Sequence, residues 1–241
     1  MPLLPFARSK IAASPAVGVW QHRDYRRFMT GLGAFYITSW MQRIGVGWLA
    51  WELTHSHAWV GAVAAADLAP LVVLGPFAGA QADRSDPLRL MRWSQIAFIA
   101  QAVALAALTL SGHMTIWLLF ALSLASGLVQ PYYTAARQTI IPASVPRAVF
   151  PSAITFDATF FHGSRFIGPM LAAMAIPLAG VESTFLVHVA GCLAFFLMVA
   201  RMGLKIPPRD THNATGLLTE IADGLAYTRR HPGIWPLFGM L

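Results

Sequence analysis

Six apolar runs, each long enough to cross a bilayer, occupy most of the first 203 residues and constrain this chain more than any other feature. Hydrocarbon offers no partner to a backbone N–H or C=O, so a run of about 20 apolar residues crosses it only as a helix that satisfies its own backbone. The runs lie at approximately 28–53, 57–82, 88–111, 114–136, 152–177 and 181–203. Turn residues separate them: Thr54-His55-Ser56, Asp86-Pro87, Ser111-Gly112, the stretch 142–146, and Ala179-Gly180. Joins this short predict that successive helices are antiparallel neighbours. The predicted fold class is therefore an all-α integral membrane protein.

Composition agrees. Of 241 residues, 11% are charged, against roughly a quarter in soluble chains, and 56% are hydrophobic. That excludes a disordered tail and stands against a cytosolic enzyme. The formal charge of +7 would suit nucleic acid if the cations formed one polar face, but they are scattered among alternate joins, so no nucleic-acid partner is expected. Fifteen of the seventeen Lys and Arg lie in the N-terminal segment, the second-to-third and fourth-to-fifth joins, or after span six. Arg137 and Arg147 represent the fourth-to-fifth join. The other joins hold Glu52, His55, His57, His113 and Glu182 instead. Because Lys and Arg resist translocation, the basic joins are expected in the cytoplasm, with the N-terminus, in a multi-pass protein of the cell's inner (plasma) membrane. Trp48, Trp51, Trp59 and Trp117 mark the outer belt, and Trp93, Tyr132 and Tyr133 the inner one.

The expected organisation is a cytoplasmic tail at 1–27, a six-helix bundle at 28–203, a cytoplasmic linker at 204–231 and the start of a seventh span at 232–241. Pro2, Pro5 and Pro15 with Arg8 and Lys10 deny the first residues the apolar core of a cleavable signal peptide. In the linker, Leu217, Leu218, Ile221 and Leu225 fall on one helical stripe, suited either to the bilayer surface or to the inner joins. The apolar residues after Pro232 are too few to span, so the seventh helix reads as cut off at Leu241.

Ionisable residues left inside spans are functional candidates by default. Arg43 and Asp67 each lie ten residues below the outer end of spans one and two, about 15 Å deep at the helical rise, so antiparallel neighbours can bring them together. Two roles are open to that pair: a proton-sensitive contact that couples protonation to helix movement, or a fixed ion pair that serves assembly. In span five, Asp157 and Arg165 share a broad face, and His162 lies beside Arg165. These groups are expected to line a water-filled cavity; for His162, packing and proton relay are both open. Small residues recur at helix-contact spacing in Gly75-Pro-Phe-Ala-Gly79 and in Ser164, Gly168, Pro169 and Ala172. No GxSxG, HExxH, P-loop or dinucleotide turn is present, the lone Cys192 forms no metal pair, and no cofactor or metal is expected.

From about Tyr25 onward the residues resemble the major facilitator superfamily of secondary transporters, in the branch of the enterobactin exporter and related drug-efflux permeases. The most specific element is Gly79-Ala-Gln-Ala-Asp83-Arg84, similar to the loop motif GxxxDR with basic residues after it, here Arg89 and Arg92 beyond Pro87-Leu88. Tyr25-Arg26-Arg27-Phe28, Trp40-Met41-Gln42-Arg43, Ala136-Arg137-Gln138 and Val145-Pro146-Arg147 fit the same pattern, and Arg165-x-x-Gly168-Pro169 resembles the antiporter motif of the fifth helix. The resemblance implies the six-helix N-terminal bundle of a twelve-helix fold. It also implies a conformational gate at Gly79, Asp83, Arg84 and Arg89, and close packing of Gly168 and Pro169 against a second half. Span four has no mid-helix arginine of the kind many proton-driven antiporters carry.

The leading expectation is the N-terminal half of a non-enzymatic, proton-coupled transporter that exports an amphipathic small molecule, drug or siderophore, by alternating access, with the chain truncated before its C-terminal six helices. Its partners would be that substrate, protons, the lipid bilayer and the absent half. The alternative is a membrane assembly protein or inactive remnant that transports nothing. The membrane domain of an ATP-driven exporter also has six helices, but the short inner joins stand against it.

Overall fold

The computed structural model describes residues 18–204 and 206. Most of the N-terminal tail, nearly all of the linker with its amphipathic stripe, and the start of a seventh span lie outside the described residues. Six long helices account for the described chain: α1 Arg23–Thr54, α2 His57–Arg84, α3 Pro87–Leu110, α4 Ile116–Ala143, α5 Phe150–Ala179 and α6 Glu182–Ala200, with a single 3₁₀ turn at Arg147–Val149. The all-α class holds, with no strand among the described residues. By length and composition α2, α3, α4 and α6 are each apolar enough to cross a membrane.

Local chemistry explains the helix starts. Asp86 caps α3 by accepting the backbone N–H of Leu88 at 2.9 Å, and Pro87 fills the first position, where a missing N–H costs nothing. Thr115 caps α4 through the N–H of Leu118. The C-terminal bound of α4 corrects the sequence reading. Prolines at 131 and 142 do not end this helix, and it continues seven residues past 136. Arg137 is therefore a helix residue and not part of a join.

Packing also departs from expectation. Chain direction alternates, but the most extensive contacts are α2 on α4, α1 on α6 and α5, and α3 on α4 and α6, while α2 and α3 barely touch. A two-residue join fixes where the next helix begins, and side-chain shape decides what it packs against. Gly127 of α4 shows this. A Cβ there would lie 2.6 Å from the Ala66 carbonyl oxygen and 3.0 Å from the Pro70 ring of α2. Pro70 has no N–H to give the carbonyl four residues earlier, and the bare Gly127 backbone covers that orphaned oxygen. The GxxxG glycines Gly75 and Gly79, by contrast, face open space, so among the described residues they seat no helix.

Two apolar clusters hold the bundle. One, toward the α2–α3 and α4–α5 connections, contains Phe28, Leu32, Phe35, Met91, Phe98, Tyr133, Ile140 and Phe195. Tyr133 is buried there with its ring 5.1 Å from Phe35, and so does not belong to the interfacial belt. The second, toward the opposite ends, contains Leu49, Val63, Leu105, Leu119 and Phe185. Trp48, Trp51, Trp93 and Trp117 are exposed, as belt residues would be.

Candidate functional site: a polar cavity between two apolar cores

Between the clusters lies a cavity of about 600 Å³, walled by α1, α2, α4 and α5 with two residues from α3 and one from α6. Phe35 and Phe98 close it on one side and Val46, Val60 and Val63 on the other. The polar residues facing it are Ser39, Gln42, Arg43, Asp67, Gln101, Ser123, Ser126, Gln130, Arg165 and His188. Volume and lining suit a small amphipathic molecule: mostly apolar walls with a few convergent polar groups.

Arg43 and Asp67 meet in this cavity, with Nη2 3.1 Å from Oδ2. The Arg43 guanidinium also lies 4.9 Å from the centroid of the Trp40 ring, one turn earlier on α1. Arg165, from α5, reaches the same indole at 5.1 Å. Trp40 thus carries two guanidinium groups, of which Arg43 alone has a carboxylate. Gln42 donates to Gln101 at 3.2 Å across α1 and α3, and His188 Nδ1 lies 3.0 Å from Thr38 Oγ1.

Gly168 explains how Arg165 gets there. A Cβ at this position would lie 2.7 Å from the Ile37 carbonyl oxygen and 3.0 Å from the Met41 backbone nitrogen, so only glycine lets α5 lie flat on α1 beside Trp40. Ser164, one turn before, is buried and returns its hydroxyl to the Phe161 carbonyl at 2.7 Å. Within the described bundle Gly168 thus makes a close contact with α1, one that the resemblance did not imply. Pro169 follows it inside α5.

Asp157 and His162 do not line the cavity. Asp157 pairs with Arg137 of α4 at 2.5 Å and accepts the Tyr36 hydroxyl of α1 at 3.0 Å, while Arg137 also reaches that hydroxyl at 2.6 Å. The network ties α1, α4 and α5 together nearer the α4–α5 connection. Sequence reasoning missed Arg137 and Tyr36. The signal available was spacing: Arg137 directly follows the apolar run at 114–136 and lies five residues before the turn residues that begin at Pro142. His162 is exposed, its ring 5.4 Å from Phe161. Arg84 and Arg89 are exposed on either side of the Ser85-Asp86 connection, Gly79 sits in the last turns of α2, and Asp83 lies in the same helix. No cluster of three or more potential metal ligands occurs among the described residues.

A bundle of long apolar helices around a central polar cavity defines a multi-pass membrane protein of the transporter type. The family model described as "Transmembrane secretion effector" matches residues 27–235, and the chain belongs to that family of the major facilitator superfamily. It is 25% identical over 173 residues to the "Staphyloferrin A transporter" of Staphylococcus aureus, covering 71% of this chain and 43% of that protein. It is 28% identical over 171 residues to the "Uncharacterized MFS-type transporter YfiS" of Bacillus subtilis, covering 68% of this chain and 39% of that protein. The match thus spans about two fifths of the length of these relatives. No solved structure matches. The matched family and both named relatives are of transporter type.

Proposed function

We propose that this chain forms one bundle of a proton-coupled exporter that moves amphipathic small molecules by alternating access, and that the Arg43–Asp67 pair is its coupling element. The observation that carries the reading is the position of that pair. It lies inside a cavity of substrate size, on helices α1 and α2, and each partner is open enough to exchange protons or solvent. Protonation of Asp67 removes the charge that Arg43 is bound to, freeing α2 to shift against α1.

The family's description supports export, and a relative named as a siderophore-type transporter supports a small-molecule cargo. The length of the relatives supports a second bundle that completes the cavity, with substrate held between bundles near the midplane. Gly79, Asp83, Arg84 and Arg89 then form the gate where the bundles separate. The gathering of cations at the N-terminus, about the α2–α3 and α4–α5 connections and after α6 supports a cytoplasmic N-terminus in the plasma membrane.

The test is efflux of a dye and drug panel from cells expressing the protein, with and without Asp67→Asn. Export is expected to fall when the proton gradient is dissipated and to be lost in the variant. Export that persists at full rate without the gradient removes proton coupling. A reporter fused in the connection at 83–92 is expected on the cytoplasmic side; finding it outside reverses the orientation.

A further inference from the structure

The charges facing the cavity do not cancel. Arg43, Asp67 and Arg165 are the residues there with fixed charge, and Asp67 is already engaged at 3.1 Å by Arg43. Arg165 has no ion pair and no hydrogen bond among the described residues; its one strong neighbour is the Trp40 ring. The other carboxylate of its own helix, Asp157, is taken by Arg137 and Tyr36. His188, the remaining titratable group in the lining, is buried against Thr38 and brings no negative charge.

Two guanidinium groups each about 5 Å from the same indole repel each other, which favours an anion between them. A second, independent feature marks the same space. Ser123 and Gln42 are buried residues of the lining, and Ser123 Oγ and Gln42 Oε1 have no hydrogen-bond partner among the described residues. Buried polar atoms are normally satisfied, so a rotation of either side chain toward the cavity would offer a ligand a polar partner.

From this we infer that the cavity is an organic-anion site: Arg165 anchors a carboxylate, or a like planar anion, of a substrate whose apolar or aromatic body lies against Trp40 and Phe161. The guanidinium fork matches a carboxylate with two parallel N–H donors, which a neutral or cationic substrate cannot use. Asp67 does not make the cavity a cation site, because its charge is spent on Arg43. The inference rests on the reading of this cavity as the substrate site and adds the charge of what it takes.

The test uses purified protein in nanodiscs of zwitterionic lipid and three matched probes: naphthalene-2-carboxylate, its neutral amide, and the cationic 2-naphthylmethylamine. Equilibrium dialysis is expected to show the carboxylate bound at least tenfold more tightly than the amide, with the amine weakest. Arg165→Gln is expected to erase the preference and Arg165→Lys to keep part of it, since lysine retains the charge without the fork. Equal binding of carboxylate and amide, a preference for the amine, no binding of any probe, or a preference that survives Arg165→Gln overturns the assignment. The first three readings need no variant, so misfolding of a mutant does not shelter the idea. Efflux separates the two proposals. Carboxylate preference without export of any compound defeats the transport reading and leaves the anion site standing. Export of neutral and cationic compounds with no carboxylate preference does the reverse.

Discussion

Two arginine–aspartate pairs sit within the same bundle and are built differently. Arg43–Asp67 is a single 3.1 Å contact between two helices, with side chains 31% and 19% exposed to the cavity. Arg137–Asp157 is shorter, less exposed at 19% and 14%, and shares both partners with the Tyr36 hydroxyl, so three helices meet in it. A pair that opens onto a cavity can be broken by a proton or a substrate at small cost, because water or ligand replaces the lost partner. A pair clamped among Tyr36, Tyr133 and the packed ends of α4 and α5 has no such substitute. The bundle therefore holds one pair suited to switching and one suited to fixing helix positions.

The largest expected effect is at the clamped pair. Asp157→Ala strands Arg137, and we expect a loss of about 3 kcal/mol or more in unfolding measurements in detergent. Replacing both partners by apolar residues, as in Arg137→Met with Asp157→Leu, is expected to recover most of that loss; failure to recover it would show that the charges themselves are required. Tyr36→Phe removes a hydroxyl bonded to two charged groups and should cost about 1.5 kcal/mol. Its effect should shrink when Asp157 is already replaced, since only the Arg137 bond then remains, a coupling that a double-mutant cycle measures directly.

At the cavity pair the order of stability and activity reverses. Asp67→Asn is expected to change stability by about 1 kcal/mol or less while abolishing gradient-dependent efflux. Combined with Arg43→Gln it should lose little more, since each variant breaks the same contact. Additive losses in folding and transport would show that the two residues act separately. The smallest effect is expected at Gly79→Ala, where the added methyl meets nothing in this bundle and stability should move by less than about 0.5 kcal/mol. Gly127→Ala, aimed at the Ala66 and Asp67 carbonyl oxygens, is the contrast: about 1–3 kcal/mol, read from the same melting curves.

Much of the architecture was legible in the linear chain. Six apolar runs gave six helices, and the connection at Asp86-Pro87 was marked by a capping aspartate and an N1 proline. The depth of Arg43 and Asp67, each ten residues from the same connection, was enough to suggest that they meet, because helical rise converts residue number into distance. Other expectations failed for one shared reason. The apolar run stops at 136 but α4 continues to Ala143, Tyr133 looked like a belt residue but lies in a core, and Gly79 looked like a packing surface but faces open space within the described bundle. Each depends on which neighbour stands opposite, and short joins say only which way the next helix runs.

Sequence alone determined that the chain is a set of membrane-crossing helices, which connections carry the cations, and which few ionisable groups are left inside, because backbone satisfaction and desolvation act on each segment by itself. Tertiary structure decided that Asp157 belongs to Arg137 and that Arg165 is left on Trp40 with no carboxylate among the described residues. Those assignments turn on distances of a few ångströms between helices distant in sequence, set by the bare backbones of Gly127 and Gly168, and no periodicity within a single helix encodes them.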